Sequence, residues 1–397
     1  MLALRRSRMA ASPPFLRGGF RPFFLGGAIW AAAALAIWLC SLAGAVSLLS
    51  HFDPLSWHRH EMLFGFVGAV IAGFLLTAIP NWTGRLPIAG PPLAALFGLW
   101  VGARLVLLFS QLTGPAFPAL LDVGFYLVLA GLAAREVLAA KNRNLPIVLL
   151  LLLFGAANAA DHAGAAGLIA DVDIGVRAAI SIVVLMISLI GGRIVPSFTR
   201  NWLAKNGVRE GLPGQPGRYD LAAIAVTAAS LLVWVALPSS RVAGALLIAA
   251  SLLQIVRLVR WGGVRARRDP LVLILHVGYL WVPVGLLLLG MSLLGTTVPT
   301  SAAIHALTAG AMATMILAVM TRASLGHTGR ELRADGPTVL IYALITLGAL
   351  LRVAAPLEWI DYVWGMRVAA IAWGGAFLGF VLFYGPVLLS ARVDETR

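Results

Sequence analysis

The sequence contains very little charge and almost no cysteine. Only 12% of its 397 residues are Asp, Glu, Lys or Arg, whereas a soluble domain normally carries about 25%. Cys40 is the single cysteine, so the chain cannot form an internal disulfide, a cysteine-ligated iron–sulfur cluster or the C-x-x-C-H motif for covalent haem. The low charge therefore excludes an ordinary soluble domain, and the cysteine count excludes three kinds of site.

Apolar residues take the place of the missing charge and make up 60% of the chain. A helix needs roughly 20 predominantly apolar residues to cross a bilayer core about 30 Å thick. Twelve stretches meet this requirement: Phe23 to Val46, Glu61 to Pro80, Pro92 to Ser110, Pro118 to Ala139, Pro146 to Ala166, Val176 to Val195, Leu221 to Leu237, Val242 to Arg260, Pro270 to Leu293, Ser301 to Met320, Pro337 to Leu351, and Met366 to Leu389. We predict an all-α integral membrane protein with one polytopic membrane domain over residues 1–397, whose longest cytoplasmic loop lies at about residues 196–219.

The net charge of +14 is spread unevenly over the predicted loops. If the N-terminus is cytoplasmic, the inner segments contain 24 of the 30 Lys and Arg residues, including Arg257, and the outer segments contain 5. This asymmetry follows the positive-inside rule, and the charges do not gather on one face as in a nucleic-acid-binding protein. The pattern predicts that both termini are cytoplasmic and that membrane lipid, not nucleic acid, surrounds the protein.

Two of the predicted helices resemble each other. HEMLFGFVGAVIAGFLLTAIPNWTGR runs from His60 to Arg85, and HALTAGAMATMILAVMTRASLGHTGR runs from His305 to Arg330. Both begin with His, carry Gly five residues later and end with Thr-Gly-Arg without a gap. If this is a true repeat, helices one to four and nine to twelve form related arcs, and the middle four form a diverged third arc.

Histidines at membrane depth are the first candidates for chemistry, because ionisable groups are costly there and are usually functional. Four of the seven histidines lie in the apolar stretches or at their ends: His60, His162, His276 and His305. Neutral imidazole is the commonest metal ligand and also ligates haem iron. We predict that these four ligate metal or haem, with His58 and His327 as outer candidates; the alternative is hydrogen bonding between helices.

Further polar groups accompany these histidines. Glu61 follows His60, Asp161 precedes His162, and Tyr279 lies one helical turn after His276, while Arg104 lies alone within the third stretch. Asp122 also lies in an apolar stretch, near the outer start of the fourth. We predict that Glu61, Asp161, Tyr279 and Arg104 relay protons or support the metal ligands.

Arginines mark the predicted cytoplasmic ends of the helices, in the motifs PNWTGR, RIVPSFTRNW and TRASLGHTGR. Such residues can end helices and anchor them at the interface, or they can pair with carboxylates such as haem propionates. The propionate candidates are Arg85, Arg193, Arg200, Arg322 and Arg330.

Several long motifs also resemble a known family. WHRHEMLFGF, AGFLLTAIPNWTGR, GGRIVPSFTRNW, LHVGYLW and IHALTAGAMATMILAVMTRASLGHTGREL are similar to those of the NnrS family of bacterial membrane proteins, and the likeness covers nearly the whole chain. This resemblance implies a multi-pass protein of the inner membrane that contains b-type haem, bound non-covalently, and copper. It also implies a role in nitric oxide metabolism and in resistance to nitrosative stress, without defining a reaction.

A more distant likeness is to the large subunit of haem-copper oxidases and nitric oxide reductases. That subunit has three arcs of four helices and holds a haem between His residues of helices two and ten, and His60 and His305 occupy corresponding places. However, helices six and seven contain no His, and helix ten contains only one. The likeness thus implies three arcs of four helices but no oxidase-type copper triad.

These arguments lead to a functional prediction. His60 and His305 are the first choice as haem axial ligands, and His162 and His276 would hold a second metal or haem. The expected ligand is nitric oxide or a related small molecule, and its reduction would need electrons from quinol or another donor. The alternative is a proton-coupled transporter that uses the buried His, Asp, Glu and Arg groups.

Overall fold

A computed structural model describes residues 11–393, and its helices confirm the twelve predicted crossings. These helices, α1 to α12 in chain order, are Phe20–Leu42, Pro54–Thr83, Pro91–Leu108, Ala116–Ala139, Leu145–Ala165, Ile174–Lys205, Arg218–Ala236, Arg241–Arg260, Pro270–Leu293, Thr300–His327, Gly336–Ala354 and Tyr362–Leu389. Short helical turns at Ser110–Thr113 and Gly263–Ala266 lie between crossings, and one at Pro14–Leu16 precedes α1. The described residues form no strand. The protein is therefore an all-α, multi-pass membrane protein.

Helix α2 begins two turns earlier than predicted, at Pro54 instead of Glu61. The Asp53 carboxylate caps it by accepting hydrogen bonds from the backbone N–H groups of Leu55 and Ser56, at 3.0 and 3.1 Å, and proline suits the first helical position. Burial would raise the pKa of Asp53, but hydrogen bonds from Ser56 and Leu55 outweigh it and lower that pKa. Because of this early start, Glu61 lies inside the helix and not at its mouth.

Helix α6 also extends beyond its predicted end at Val195 and continues to Lys205. The last fourteen residues contain RIVPSFTRNW and form an amphipathic stretch, which is why hydropathy alone ended the crossing too early. The predicted loop at residues 196–219 is thus shorter: its first ten residues belong to α6, and α7 already begins at Arg218. Arg193 and Arg200 lie on these helical turns.

Three helices contain π-helical segments, at Glu61–Val67 in α2, Ile187–Gly191 in α6 and Ala306–Met312 in α10. Such segments often mark functional sites. In α2 and α10 the segment is seven residues long and starts directly after His60 and His305. The two helices that resemble each other in sequence therefore share the same backbone irregularity at the same place.

The chain forms two compact units. The first contains the described residues up to Ala179, together with Ala323–Glu331 and the described residues from Phe380 onward, and the second contains Ile180–Arg322 and Leu332–Gly379. The most buried helices are α2, α6, α9 and α10, whose central windows are 67% to 78% buried, compared with 50% or less for the others. The prediction of a single membrane domain stays a prediction. The predicted cytoplasmic chain ends contain Arg5, Arg6, Arg8 and Arg397, which lie outside the described residues.

Candidate metal centre

A fully buried cluster of imidazole and carboxylate groups lies in the first unit. Nε2 of His60 in α2 is 2.8 Å from Oδ2 of Asp122 in α4, and Nε2 of His162 in α5 is 3.2 Å from the same oxygen. The relative exposure of these three residues is 0%, 0% and 7%. One ligand atom from each lies within 4.8 Å of the other two, so the three residues could hold a metal ion.

One oxygen of Asp122 is approached by more groups than it can bond. Asn158 Nδ2 donates a hydrogen bond to Oδ2 at 2.8 Å, in addition to the His60 and His162 nitrogens. A carboxylate oxygen has about two lone-pair sites, so three groups compete for two positions. A cation at this oxygen would draw both imidazoles into its coordination and relieve that competition.

Neighbouring polar groups hold the ligands in place. Asp161 Oδ2 is 2.7 Å from Nδ1 of His60, which leaves Nε2 of that ring directed at Asp122. Arg104 pairs with Oδ1 of Asp122 and donates to Oε2 of Glu61 at 2.7 Å. A carboxylate behind the ligating imidazole is the usual second interaction of a metal-bound His. The predicted supporting roles of Glu61, Asp161 and Arg104 are therefore compatible with this geometry.

The charges of this cluster do not cancel when both imidazoles are neutral. Glu61, Asp122 and Asp161 contribute three negative charges and Arg104 contributes one positive charge, which leaves −2 in a region whose members are all buried. Isolated buried charge is very costly. A divalent cation would balance the cluster in this state, whereas a second proton on His60, whose two ring nitrogens both face carboxylates, would reduce the imbalance to −1.

The π-helical segment of α2 forms part of the same region. A wider helical turn leaves some backbone carbonyls without their ordinary donors, and side chains from α3 and α4 bond two of them. Trp100 Nε1 donates to the Gly65 carbonyl at 3.0 Å, and the Tyr126 hydroxyl donates to the Phe64 carbonyl at 2.5 Å. Gly65 permits the close approach, because a Cβ there would lie 2.2 Å from Oε2 of Glu61.

Helix α6 touches α5 beside the cluster through Gly175. A Cβ at this position would lie 2.5 Å from the backbone nitrogen of Asp161 and 2.6 Å from the carbonyl oxygen of Ala157. Backbone atoms in a packed helix cannot move aside easily. We therefore expect Gly175→Ala to lower the free energy of unfolding by about 1–3 kcal/mol, as overpacking typically does, and to displace Asp161 from His60.

Thermal unfolding in detergent, followed by circular dichroism, measures this effect. Gly98→Ala is the matched control, because Gly98 lies in α3 and a Cβ there meets no atom within 4 Å. Equal unfolding temperatures for the two variants would contradict the close α5–α6 contact.

The cluster suits a metal ion better than it suits haem. Both ring nitrogens of His60 face carboxylates, and the rings of Phe52, Phe64 and His162 surround the imidazole at centroid distances of 4.8, 5.0 and 4.8 Å. A porphyrin ligated by His60 would have to displace several of these groups. Two imidazoles and a carboxylate are nevertheless a normal ligand set for a divalent metal.

The structure places the other predicted histidines elsewhere. His276 Nε2 is 2.8 Å from the Thr199 hydroxyl in the second unit, and His305, in the same unit, has Nδ1 2.7 Å from the Ser301 carbonyl oxygen. His58 stacks on Trp38 at 5.0 Å and therefore points away from His60, as the helical spacing predicts. The ring of His327 packs against Phe20 at 5.5 Å. Ligation of haem by any of these stays a prediction.

The arginines predicted to pair with propionates have varied surroundings. Arg85 pairs with Glu136, the Arg322 guanidinium lies 4.0 Å from the centre of the Phe198 ring, and Arg200 donates to the Pro213 carbonyl at 3.4 Å. Arg193 lies in α6, and Arg330 directly follows α10. Arg85 and Arg322 thus already have ordinary structural contacts, and a role for all five with haem stays a prediction.

A second buried polar network surrounds Arg257 in α8. Its guanidinium donates to Oδ1 of Asp220 at 2.8 Å and to the Ser188 carbonyl and the Tyr279 hydroxyl at 2.9 Å. The Tyr279 hydroxyl donates in turn to Oε1 of Gln254 at 2.6 Å. Arg257 is only 1% exposed and lies in the last turn of α8, so it is a buried helix residue and not a loop residue. Its partners Asp220, Ser188 and Tyr279 lie on three other helices, and Asp220 supplies the balancing carboxylate.

Sequence reasoning did not select two residues of the centre, Asp122 and Asn158. Asp122 is an acid in an apolar stretch, which was a usable signal, but nothing in the sequence showed that it meets His60. Asn158 shares a helical face with Asp161 and His162 at a spacing of three and four residues. The polar face of α5 was therefore visible, whereas its partners on α2 and α4 were not.

The fold and the cluster define a multi-pass membrane protein with a buried candidate metal centre. The sequence model of the NnrS family, described as NnrS protein, matches residues 14–392. The chain therefore belongs to the NnrS family, and this membership supports a membrane protein of the nitric oxide response. No curated protein sequence matches the chain.

Proposed function

We propose that this protein binds a divalent metal ion through His60, Asp122 and His162 and that nitric oxide, or a closely related small molecule, binds to that ion. The observation that carries the proposal is the convergence of three buried ligand atoms within 4.8 Å of one another. The excess negative charge of the surrounding groups supports it, because a dication offsets that charge. Nitric oxide is small and nearly apolar, so it can reach a centre inside the membrane through lipid.

The proposed setting is the bacterial inner membrane, with both termini in the cytoplasm and a role in resistance to nitrosative stress. Family membership and the distribution of Lys and Arg support this setting. Copper is the metal that the family implies, and b-type haem is its other expected cofactor. Haem would be held outside the cluster, with His305 and His276 as its candidate ligands, because His60 is closely surrounded. If the centre reduces nitric oxide, quinol or another carrier would supply the electrons.

We expect His162→Ala to abolish stoichiometric metal binding while leaving the fold intact. His162 contacts Asp122 through one nitrogen at 3.2 Å, so its loss leaves the Arg104–Asp122 and His60–Asp161 contacts in place. Loss of a direct ligand is expected to weaken metal affinity by more than tenfold, since loss of an outer partner already costs about 10–100-fold. Elemental analysis of protein purified in detergent, together with an absorption spectrum, measures metal and haem separately.

The matched control is His51→Ala, because His51 is exposed and belongs to none of the predicted sites. Nitric oxide binding, followed by a spectral change, should disappear with the metal in His162→Ala and persist in His51→Ala. Unchanged metal content and unchanged nitric oxide binding in both His60→Ala and His162→Ala would rule out this centre.

A further inference from the structure

We infer that the ion held by His60, Asp122 and His162 is non-haem ferrous iron, with free coordination positions that accept nitric oxide. This inference rests on the proposed function, which requires only that some divalent metal binds there. It differs from the copper and haem expected of the family. The donor atoms, their spacing and their unsatisfied neighbours each support it.

The donor atoms are two imidazole nitrogens and one carboxylate oxygen. Arg104 occupies Oδ1 of Asp122, so only Oδ2 of that carboxylate is available and Asp122 would bind in a monodentate manner. Two His and one carboxylate with open positions are the ligand set of non-haem Fe(II) sites, whereas Cu(I) prefers the sulfur of Cys or Met. The three residues that converge are two His and one Asp, without a sulfur atom among them, which disfavours Cu(I).

The spacing of the donor atoms fits neighbouring positions around one ion. Metal–nitrogen and metal–oxygen bonds of about 2.1 Å at right angles place adjacent ligand atoms about 3 Å apart. Oδ2 of Asp122 lies 2.8 Å from Nε2 of His60 and 3.2 Å from Nε2 of His162. The two imidazole nitrogens lie within 4.8 Å of each other. Three protein ligands leave further octahedral positions for water or nitric oxide.

Two buried acceptor atoms near the proposed site lack a hydrogen-bond donor. They indicate that the ion also binds a molecule, such as water, that can donate hydrogen bonds. Asn158 Oδ1 and Glu61 Oε1 are buried and have no hydrogen-bond partner in the part of the chain that the structure describes. The amide of Asn158 reaches Oδ2 of Asp122 through its Nδ2 at 2.8 Å, so the unpartnered oxygen belongs to a side chain that contacts one of the three ligand atoms. An acceptor in this place suits a hydrogen bond from a metal-bound water, which a closed structural site of four protein ligands would lack.

The chemistry of the ligand decides between iron and zinc. Zn²⁺ has a filled d shell and no redox chemistry, so it does not bind the unpaired electron of nitric oxide. Addition of nitric oxide to Fe(II) forms one iron–nitrogen bond and releases at most a bound water, and it needs no oxidant or reductant. A family of the nitric oxide response therefore favours the ion that forms this bond.

The experiment uses the full-length protein, purified in detergent, stripped of metal and loaded without oxygen with Fe(II), Cu(II) or Zn(II). Nitric oxide is then added, and electron paramagnetic resonance is recorded. We expect one Fe(II) per chain and a high-spin iron–nitrosyl signal, which differs from the low-spin signal of a haem nitrosyl. His162→Ala should weaken Fe(II) binding more than tenfold, and His51→Ala should not change it.

The other outcomes distinguish failure of the iron inference from failure of the proposed metal centre. Sites with nitrogen and oxygen donors generally bind Cu(II) and Zn(II) more tightly than Fe(II), so affinity alone does not identify the native ion. One metal ion per chain, lost in His162→Ala, without a high-spin iron–nitrosyl signal after loading with Fe(II) and nitric oxide would overturn the iron inference and leave the metal centre standing. Metal binding that is the same in His60→Ala, His162→Ala and the original protein would overturn both. Because a variant can misfold, the original protein is also tested by competition: excess Zn(II) is added after loading with Fe(II). If one Zn(II) per chain binds and the full nitrosyl signal persists, the iron is not at this cluster.

Discussion

Replacing Asp122 by alanine is expected to lower the free energy of unfolding by about 3–5 kcal/mol, the usual cost of removing one partner from a buried ion pair. The carboxylate accepts from Arg104 and Asn158 and lies within 3.2 Å of ring nitrogens of His60 and His162, all of them buried. Its removal would leave the Arg104 guanidinium with Glu61 as its remaining charged partner and would leave both imidazoles without their shared acceptor. The same substitution should abolish metal binding.

Unfolding in detergent and denaturant, measured by circular dichroism, tests this expectation. Asp173→Ala is the control: Asp173 pairs with Arg59 at 2.8 Å, but the two side chains are 47% and 33% exposed. An exposed ion pair contributes only about 0–1 kcal/mol. A loss of stability in Asp122→Ala no larger than in Asp173→Ala would show that the cluster does not hold the first unit together.

The second large effect is expected in the second unit, where Arg257→Ala should also cost about 3–5 kcal/mol of unfolding free energy. The substitution would leave Asp220 without its guanidinium partner and would remove donors from the Ser188 carbonyl and the Tyr279 hydroxyl. A Cβ on Gly192 would lie 1.9 Å from the same guanidinium, so the group is also closely packed. Metal binding at the first unit should be retained by the folded fraction of this variant.

Arg260→Ala is the control, because Arg260 is exposed and contacts the Tyr219 ring at 4.8 Å from its centre. An exposed contact of this kind is worth about 0.5–1 kcal/mol. The unfolding midpoint of Arg257→Ala should therefore fall well below that of Arg260→Ala. Identical midpoints would mean that Arg257 finds water or another partner in the native protein.

Helices α2 and α10, which resemble each other in sequence, each contain a π-helical segment. His60 and His305 each stand directly before such a segment. Their surroundings nevertheless differ, because His60 is fully buried between carboxylates while His305 is partly exposed and bonds a backbone carbonyl. The two helices thus share a backbone irregularity as well as a sequence likeness, but the likeness did not predict the different environments of their histidines.

Two helix boundaries, the start of α2 and the end of α6, differ from those predicted from hydropathy. The early start of α2 depends on Asp53 and Pro54, a cap that lies outside the apolar stretch, and the late end of α6 depends on an amphipathic segment outside the crossing. Both are visible in the sequence as local patterns. The prediction missed them because it used the length of the apolar stretches and gave caps no role.

The sequence by itself determined the class of the protein, its twelve helices and the identity of the few ionisable groups inside them, because apolar length and the cost of buried charge act locally along the chain. Only the tertiary structure decided which of those groups meet. His60, Asp122 and His162 come from three helices, and Arg257 finds Asp220 on another. Hydrogen bonds and ion pairs need contact distances of about 3 Å, and helix packing alone sets such distances between residues far apart in the chain.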